Sequence, residues 1–391
     1  MMAMEKNNKT LNVPNLRFPE FSGEWETSSI AECFSLYSGN TPSRTQKENF
    51  VGELNWISSG ELKTHYLEHT GEHISVKVAV ENNLRILPVG TFVIAIYGLE
   101  AEGVRGTGSI ITKESTISQA CMAFLPKGPI TSEFIYAWYK KHGNLIGIKY
   151  AQGTKQQNLG YDIVEKLQLR FPSIAEQKKL EQFISLIDER IETQKKIIED
   201  LKKLKRAICK SVFISPECAI RKMDDIATVT MGQSPSSHSY NDNQQGLPLI
   251  QGNLDLYDGS IRPRIYTSEI TQTCKKGDVI LTVRAPVGET AHAQLAACIG
   301  RGVCAISPYN SSDAELIYQF LNYYKPTWAK LEQGSTFSSI NGADIRGIDV
   351  RCPSMSNIKL LRILDTRLQA SVCLLNAYSV SKNCLLSQLF I

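Results

Sequence analysis

The sequence predicts an α+β chain that is built twice over. Two duplicated globular α/β domains are separated by two long helices that pair antiparallel as a coiled coil, giving pseudo-two-fold symmetry. Three observations predict this. Residues 172–213 carry an apolar stripe of coiled-coil period, the C-terminal segment repeats that stripe, and the segments ahead of each stripe run through strands and turns in the same order.

In the first stripe the seam positions recur by steps of four and three: Leu180, Ile184, Ile187, Ile191, Gln194, Ile198 and Leu201, then Lys205, Ile208 and Val212. A 3.5-residue period keeps one face turned to a partner helix. Ser173 stands at a capping position with Glu176 three residues on, and Pro172 disfavours helix immediately upstream. Read alone, the stretch also fits a single amphipathic core helix. The repeat decides against that. Ile187-Asp188-Glu189-Arg190-Ile191 matches Leu364-Asp365-Thr366-Arg367-Leu368 at a shift of 177, which puts Lys205 on Lys382 and Phe213 on Phe390. The second seam reads Leu361, Leu364, Leu368, Ser371, Leu375, Tyr378, Lys382, Leu385 and Leu389. Both seams are polar at the same two places, Gln194/Ser371 and Lys205/Lys382, and polar seam residues specify register.

The remaining elements follow in order. Residues 1–13 form a polar leader, and 14–25, rich in Pro, Gly and aromatics, form an extended arm. A short helix or strand is expected over 27–37, a loop at 38–44, a strand entering a turn at 55–62, and a buried strand after Pro88-Val89-Gly90. A helix over 132–142, an amide-rich loop at 151–158 and a strand over 167–171 complete the first half. Residues 226–235, 248–254 and 276–284 answer the corresponding first-half segments. Gln333-Gly334-Ser335 answers Gln152-Gly153-Thr154, and Cys352-Pro353-Ser354 answers Phe171-Pro172-Ser173, both at a shift of 181. The expected boundaries are 1–172 and 216–353 for the domains, with 173–215 and 354–391 for the helices. A repeat this long is a tandem domain duplication, not a solenoid.

At 391 residues the chain can bury more than one core, and 42% apolar with 21% charged residues is ordinary for a soluble protein. A net charge of +4 permits a polyanionic partner without requiring one. The ten cysteines show no Cys-x-x-Cys pair, which favours free thiols in a reducing cytoplasm. No apolar run is long enough for a membrane span or a signal peptide. No phosphate-loop motif is present, Gly106-Thr107-Gly108 lacks a Rossmann context, and no Asp/Asn-Pro-Pro-Tyr/Phe signature of an amino-methyltransferase occurs. Glu61-Leu62-Lys63 lacks the acidic partner strand a nuclease needs. His65, His69 and His73 are four apart, but Thr70-Gly71 breaks the helix that would align them as ligands. We expect no catalytic centre, no metal site and no cofactor in this chain.

What remains is a pair of polar loop sets. Each half has a Gly-x-Ser/Thr-Pro turn and a Gln-Gly-Ser/Thr turn with basic residues nearby. Such residues approach phosphates closely and read base edges. The candidate DNA-binding residues are Thr41, Ser43, Arg44, Arg105, Thr154, Lys155 and Gln156 in the first half, and Gln233, Ser234, Arg284, Arg301 and Ser335 in the second. The candidate seam is Ile184, Ile187, Ile191, Ile198, Leu201 and Ile208 against Leu364, Leu368, Leu375, Leu385 and Leu389. A helix of about 35 residues spans roughly 50 Å, more than the ~34 Å of one duplex turn, so two domains so joined suit separate half-sites.

These features together resemble the specificity subunit of bacterial type I restriction–modification systems. The resemblance covers nearly the whole chain. It rests on the arm Pro14-x-Leu16-Arg17-Phe18-Pro19-x-Phe21-x-Gly23-x-Trp25, the opening Pro172-Ser173-x-x-Glu176-Gln177, the helix body from Ile187 to Gln194 and the paired turns. It implies two target-recognition domains that each read half of a bipartite double-stranded DNA sequence. It implies helices that space the domains and dock two methyltransferase (modification) subunits, joined by restriction subunits. S-adenosylmethionine, ATP and magnesium would then belong to the partner subunits. The second helix departs from the pattern: Ser356-Asn357 replaces Glu-Gln, its connection is four residues shorter, and charged residues are fewer, which predicts different or weaker docking there. The alternative is a structural adaptor that binds proteins through its coiled coil.

Overall fold

The computed structural model describes residues 12–153, 155–332 and 339–391, the side chains of 329–332 excepted. The chain forms two compact units, Met1–Ile191 with Ala377–Ile391, and Glu192–Asn376. The divisions fall within the two long helices, so each unit holds one part of each helix.

In the first unit a five-stranded sheet runs in the order Phe34–Ser38, Cys121–Pro126, Phe92–Ala95, Gly108–Ile111, Tyr66–Leu67. A three-stranded sheet runs His73–Ile74, Leu54–Ile57, Ser115–Ile117. Phe92–Ala95 is buried along its whole length, as an unbroken apolar run bounded by turn residues requires. The helix Ser132–Tyr150 packs on this sheet and begins where the Thr131 hydroxyl accepts from the Phe134 amide at 3.1 Å. It runs eight residues beyond the expected 132–142 because its glycines serve packing and do not terminate it. A Cβ at Gly147 would meet Arg105 Cγ at 2.6 Å. The expected helix-or-strand over 27–37 is both. Strand Glu26–Ser29 enters a capped turn, Ile30–Cys33, and leaves as the edge strand Phe34–Ser38.

The second unit repeats the plan. Its larger sheet runs Ala227–Met231, Val303–Pro308, Val279–Thr282, Thr290–His292, Ser260–Ile261, Leu256–Tyr257. The smaller runs Tyr240–Asn241, Ile265–Thr267, Leu247–Ile250, Ala297–Ile299, Gln272–Cys274. Asp313–Glu332 takes the place of the first unit's long helix. Each unit is closed at its base by a two-stranded antiparallel ribbon, Glu26–Ser29 with Gln168–Phe171 in one and Ala219–Lys222 with Asp349–Cys352 in the other.

The central helix spans Ile174–Ile214 and the C-terminal helix Met355–Leu389. Within the first unit Lys382 pairs with Asp188, and within the second Lys205 pairs with Asp365, the same two positions at the shift of 177. Gln194 donates its amide to the Ser371 carbonyl at 3.1 Å, so these two polar seam residues meet. Ile184, Ile191, Ile198, Leu364 and Leu389 are buried, and Ile187, Leu201, Ile208, Leu368, Leu375 and Leu385 half-buried.

The arm is held by the opening of the central helix. Glu176, 2% exposed, accepts from Arg17 Nε at 2.8 Å and Nη2 at 2.7 Å, and from Trp25 Nε1 at 3.3 Å. Gln177, fully buried, accepts from the Thr131 amide at 3.0 Å and donates to the carbonyls of Pro129 and Pro172 at 2.9 Å. These residues are spent inside the first unit. Among the described residues the second unit has no arm of this kind, which gives Ser356-Asn357 a structural reason that does not involve docking.

Candidate nucleic-acid interface

In the second unit the sheet edges end in loops that meet over a cleft of about 560 Å³, lined by Ser234, Tyr240, Gln251, Asn253, Arg284 and Arg301 among others. Glycines bring the loops this close. A Cβ on Gly232 would lie 2.2 Å from the Gly300 carbonyl oxygen, and one on Gly302 2.1 Å from that of Gln251. The wall is cross-linked, with Gln251 Nε2 donating to Tyr240 Oη at 3.1 Å and that hydroxyl donating to the Pro235 carbonyl at 3.2 Å. Ser234 Oγ accepts from the Arg301 amide at 3.1 Å. The side chains of Arg284 and Arg301 are exposed, and among the described residues neither guanidinium has an ion-pair or hydrogen-bond partner. Two free guanidinium forks on a rigid, otherwise neutral wall suit a polyanion or a base edge. Gln233 is exposed beside the cleft, its amide tied to the Ile299 carbonyl at 2.9 Å. Ser335 lies outside the described residues.

The first unit has the same scaffold with different side chains. Ser118 donates to the Ile57 carbonyl at 2.8 Å as Gly300 does to Ile250 at 2.8 Å, and Cys121 to Ser118 at 3.1 Å as Val303 does to Gly300 at 3.1 Å. Ile96 donates to Ala120 at 2.9 Å as Val283 does to Gly302 at 2.9 Å, and Leu159 to Ile96 as Ile340 does to Val283. The bridges Tyr97 to Asn158 and Arg284 to Ser339 also correspond. Gln119 therefore occupies the place of Arg301, and Tyr97 that of Arg284. Both are exposed. Sequence reading missed them because they lie in loops whose only shared feature is backbone topology.

The first-half candidates divide accordingly. Arg44 is bound at both terminal guanidinium nitrogens by Glu72, at 2.7 and 3.0 Å, and lies 4.8 Å from the Phe50 ring centre. The Glu72 hydrogen bond raises the Arg44 pKa, and its partner depresses that of Glu72. Arg105 does not correspond to Arg284. It is half-buried on Gly147, with Nη2 donating to Gln157 at 2.5 Å, and so braces the 151–158 loop. Lys155 and Gln156 are exposed on that loop, whose turn needs Gly153 at φ +106°. Thr154 lies outside the described residues. Thr41 is half-buried, and Ser43 is exposed and bonded to Thr45 at 2.8 Å.

The histidines have other roles. His65 lies flat against Tyr136 at 4.0 Å and bonds Glu133 at 2.8 Å, and His292 lies 4.3 Å from Tyr318 and 3.6 Å from Glu315. His73 sits on a strand and His65 and His69 on no helix. Among the described residues no group of three or more His, Cys, Asp or Glu side chains is placed to hold a metal, and no helix is long and apolar enough to cross a membrane. The cysteines carry no disulfide, and burial pushes the Cys121 and Cys304 thiols up to about 12.

Comparison with known proteins agrees with this architecture. Residues 22–203 and 217–369 each match the model of the type I restriction modification DNA specificity domain. Among curated proteins of Methanocaldococcus jannaschii, the putative type I restriction enzyme MjaX specificity subunit is 28% identical over 56% of this chain and 57% of its own length. The MjaIX specificity subunit is 27% identical over 50% of this chain and 45% of its own length. The chain thus spans about half the length of these relatives. Two solved structures share the fold. One, from a study of complex assembly and conformational transition of the type I R-M system, superposes with a TM-score of 0.62 at 20% identity, covering 93% of this chain and 95% of that one. The other, the type I restriction-modification S subunit from M. genitalium, gives 0.61 at 17% identity, covering 97% and 99%. With both halves matched and both built on one scaffold, the chain belongs to the type I restriction modification DNA specificity family.

Proposed function

We propose that this chain is the non-catalytic DNA-specificity subunit of a type I restriction–modification complex, working in the cytoplasm. Each unit reads one half of a bipartite double-stranded DNA target. The two helices fix the separation of the half-sites and dock two modification subunits, to which restriction subunits add. S-adenosylmethionine, ATP and magnesium act in those partners. The observation that carries this reading is one loop scaffold occurring twice with different side chains at its tip, Arg301 and Arg284 in one copy, Gln119 and Tyr97 in the other. A duplicated frame with changed tips suits a molecule that reads two different sequences.

A second reading, an adaptor acting through protein contacts alone, is favoured by apolar side chains on the outer helix faces. Leu186 is 65%, Ile363 57% and Val380 68% exposed. Methylation sequencing of a host expressing the chain with its cognate modification subunit separates the two. The recogniser reading expects methylated adenine in a bipartite motif with a fixed unspecified spacer. A stable complex that leaves the genome unmethylated would support the adaptor.

A further inference from the structure

The two units differ at a position that the backbone makes equivalent. We infer that this tip is a base-reading position: Arg301 reads guanine in the half-site of the second unit, and Gln119 reads adenine in that of the first. The inference rests on the recogniser reading and deepens it.

Arg301 sits between Gly300 and Gly302, and the chain around it is pinned by four hydrogen bonds. They run from Gly300 to Ile250, Val303 to Gly300, Val283 to Gly302, and the Arg301 amide to Ser234 Oγ. The backbone is thus fixed while the exposed side chain has no partner among the described residues. An arginine whose Cα is rigid and whose fork is free matches the paired acceptors O6 and N7 of guanine in the major groove. Gln119 is presented by three corresponding bonds, from Ser118 to Ile57, Cys121 to Ser118 and Ile96 to Ala120, and its side-chain amide both donates and accepts, which matches the N6 donor and N7 acceptor of adenine. Arg44 does not supply the missing fork in the first unit, because Glu72 already holds both of its terminal nitrogens. A phosphate contact would need charge alone, and a flexible lysine on an unbraced loop would serve as well. The bracing is what favours base reading here.

The test is selection from a randomised duplex pool by the full chain assembled with its modification subunits, comparing wild type with Arg301→Gln, Arg301→Lys and Gln119→Arg. Wild type should enrich a bipartite motif with guanine at one position of one half and adenine in the other. Arg301→Gln should cut the guanine preference at that position about ten- to a hundredfold, leaving the other half-site unchanged. Arg301→Lys should keep overall affinity and relax the same position. Gln119→Arg should shift only the other half, from adenine towards guanine. Uniform loss of affinity with an unchanged motif, in variants that still assemble, would make Arg301 a phosphate contact and overturn the inference. Unaltered selection by Arg301→Gln or by Gln119→Arg would do the same. Failure of the wild-type complex to enrich any sequence would instead remove the recogniser reading, and this inference with it.

Discussion

At the scale of single residues, environment decides what a charged or polar side chain can do, and His142 shows this most directly. It packs against Trp138 with ring centres 5.0 Å apart, and its buried Nε2 has no hydrogen-bond partner among the described residues. Burial, reinforced by Lys141, lowers its pKa to about 4. An unfolded histidine titrates near 6.5. Between those values the unfolded chain takes up a proton that the folded chain refuses, so this site contributes full stability above about pH 6.5 and loses it as pH falls towards 4. Denaturant unfolding at pH 7.5 and 5.0 should show wild type losing about 1–2 kcal/mol more than His142→Gln. Parallel losses would mean that the ring is not held neutral. Arg44, Arg105 and Arg301 were equally plausible DNA ligands in the sequence. Of these three, only Arg301 is both exposed and unpaired among the described residues, since Glu72 and Gln157 occupy the other two. Pairing across 28 and 52 positions leaves no periodic trace in a sequence.

At the scale of elements, the long helices were the most legible part of the chain, because a seam repeats every few residues and its register is fixed by polar exceptions. Gln194 meets Ser371, and the Lys–Asp pair recurs at both ends of the duplication. The short strands were less legible: several have only two or three residues, and pairing rather than local pattern defines them. The helix pair carries a direct prediction. Ile198, 5% exposed, lies in the seam, so Ile198→Ala should cost about 2–4 kcal/mol. Leu201→Asp places a charge in the half-buried seam and should destabilise the chain further and prevent complex assembly. Lys203 is exposed and pairs with the exposed Asp200 at 3.7 Å, so Lys203→Asp should stay within about 0.5 kcal/mol of wild type. Thermal melts of the full chain rank the three. A Leu201→Asp protein melting with wild type would show that the seam is not the packed face.

At the scale of the whole molecule, duplication was visible because helix bodies and turn motifs recur at nearly constant shifts, whereas the tips that differ between copies emerge only when backbone hydrogen bonds align them. The charge balance then bears on mechanism. With a net charge of only +4, long-range attraction to DNA is weak, so the recogniser reading requires affinity from local placement of cations such as Arg284 and Arg301 on an otherwise polar, neutral surface. Each neutralised phosphate releases counterions, and the logarithm of affinity falls with the logarithm of salt by about 0.9 per contact. If the assembled complex neutralises four to eight phosphates, affinity for a duplex carrying both half-sites should fall about a hundred- to ten-thousandfold between 50 and 200 mM salt. Sequence preference should survive that rise, because base-edge hydrogen bonds depend on geometry more than on counterions. Fluorescence anisotropy with specific and scrambled duplexes across that range measures both quantities. Steep salt dependence without preference would leave a non-specific DNA binder. A flat response for both duplexes would rule out phosphate-driven binding and favour the adaptor.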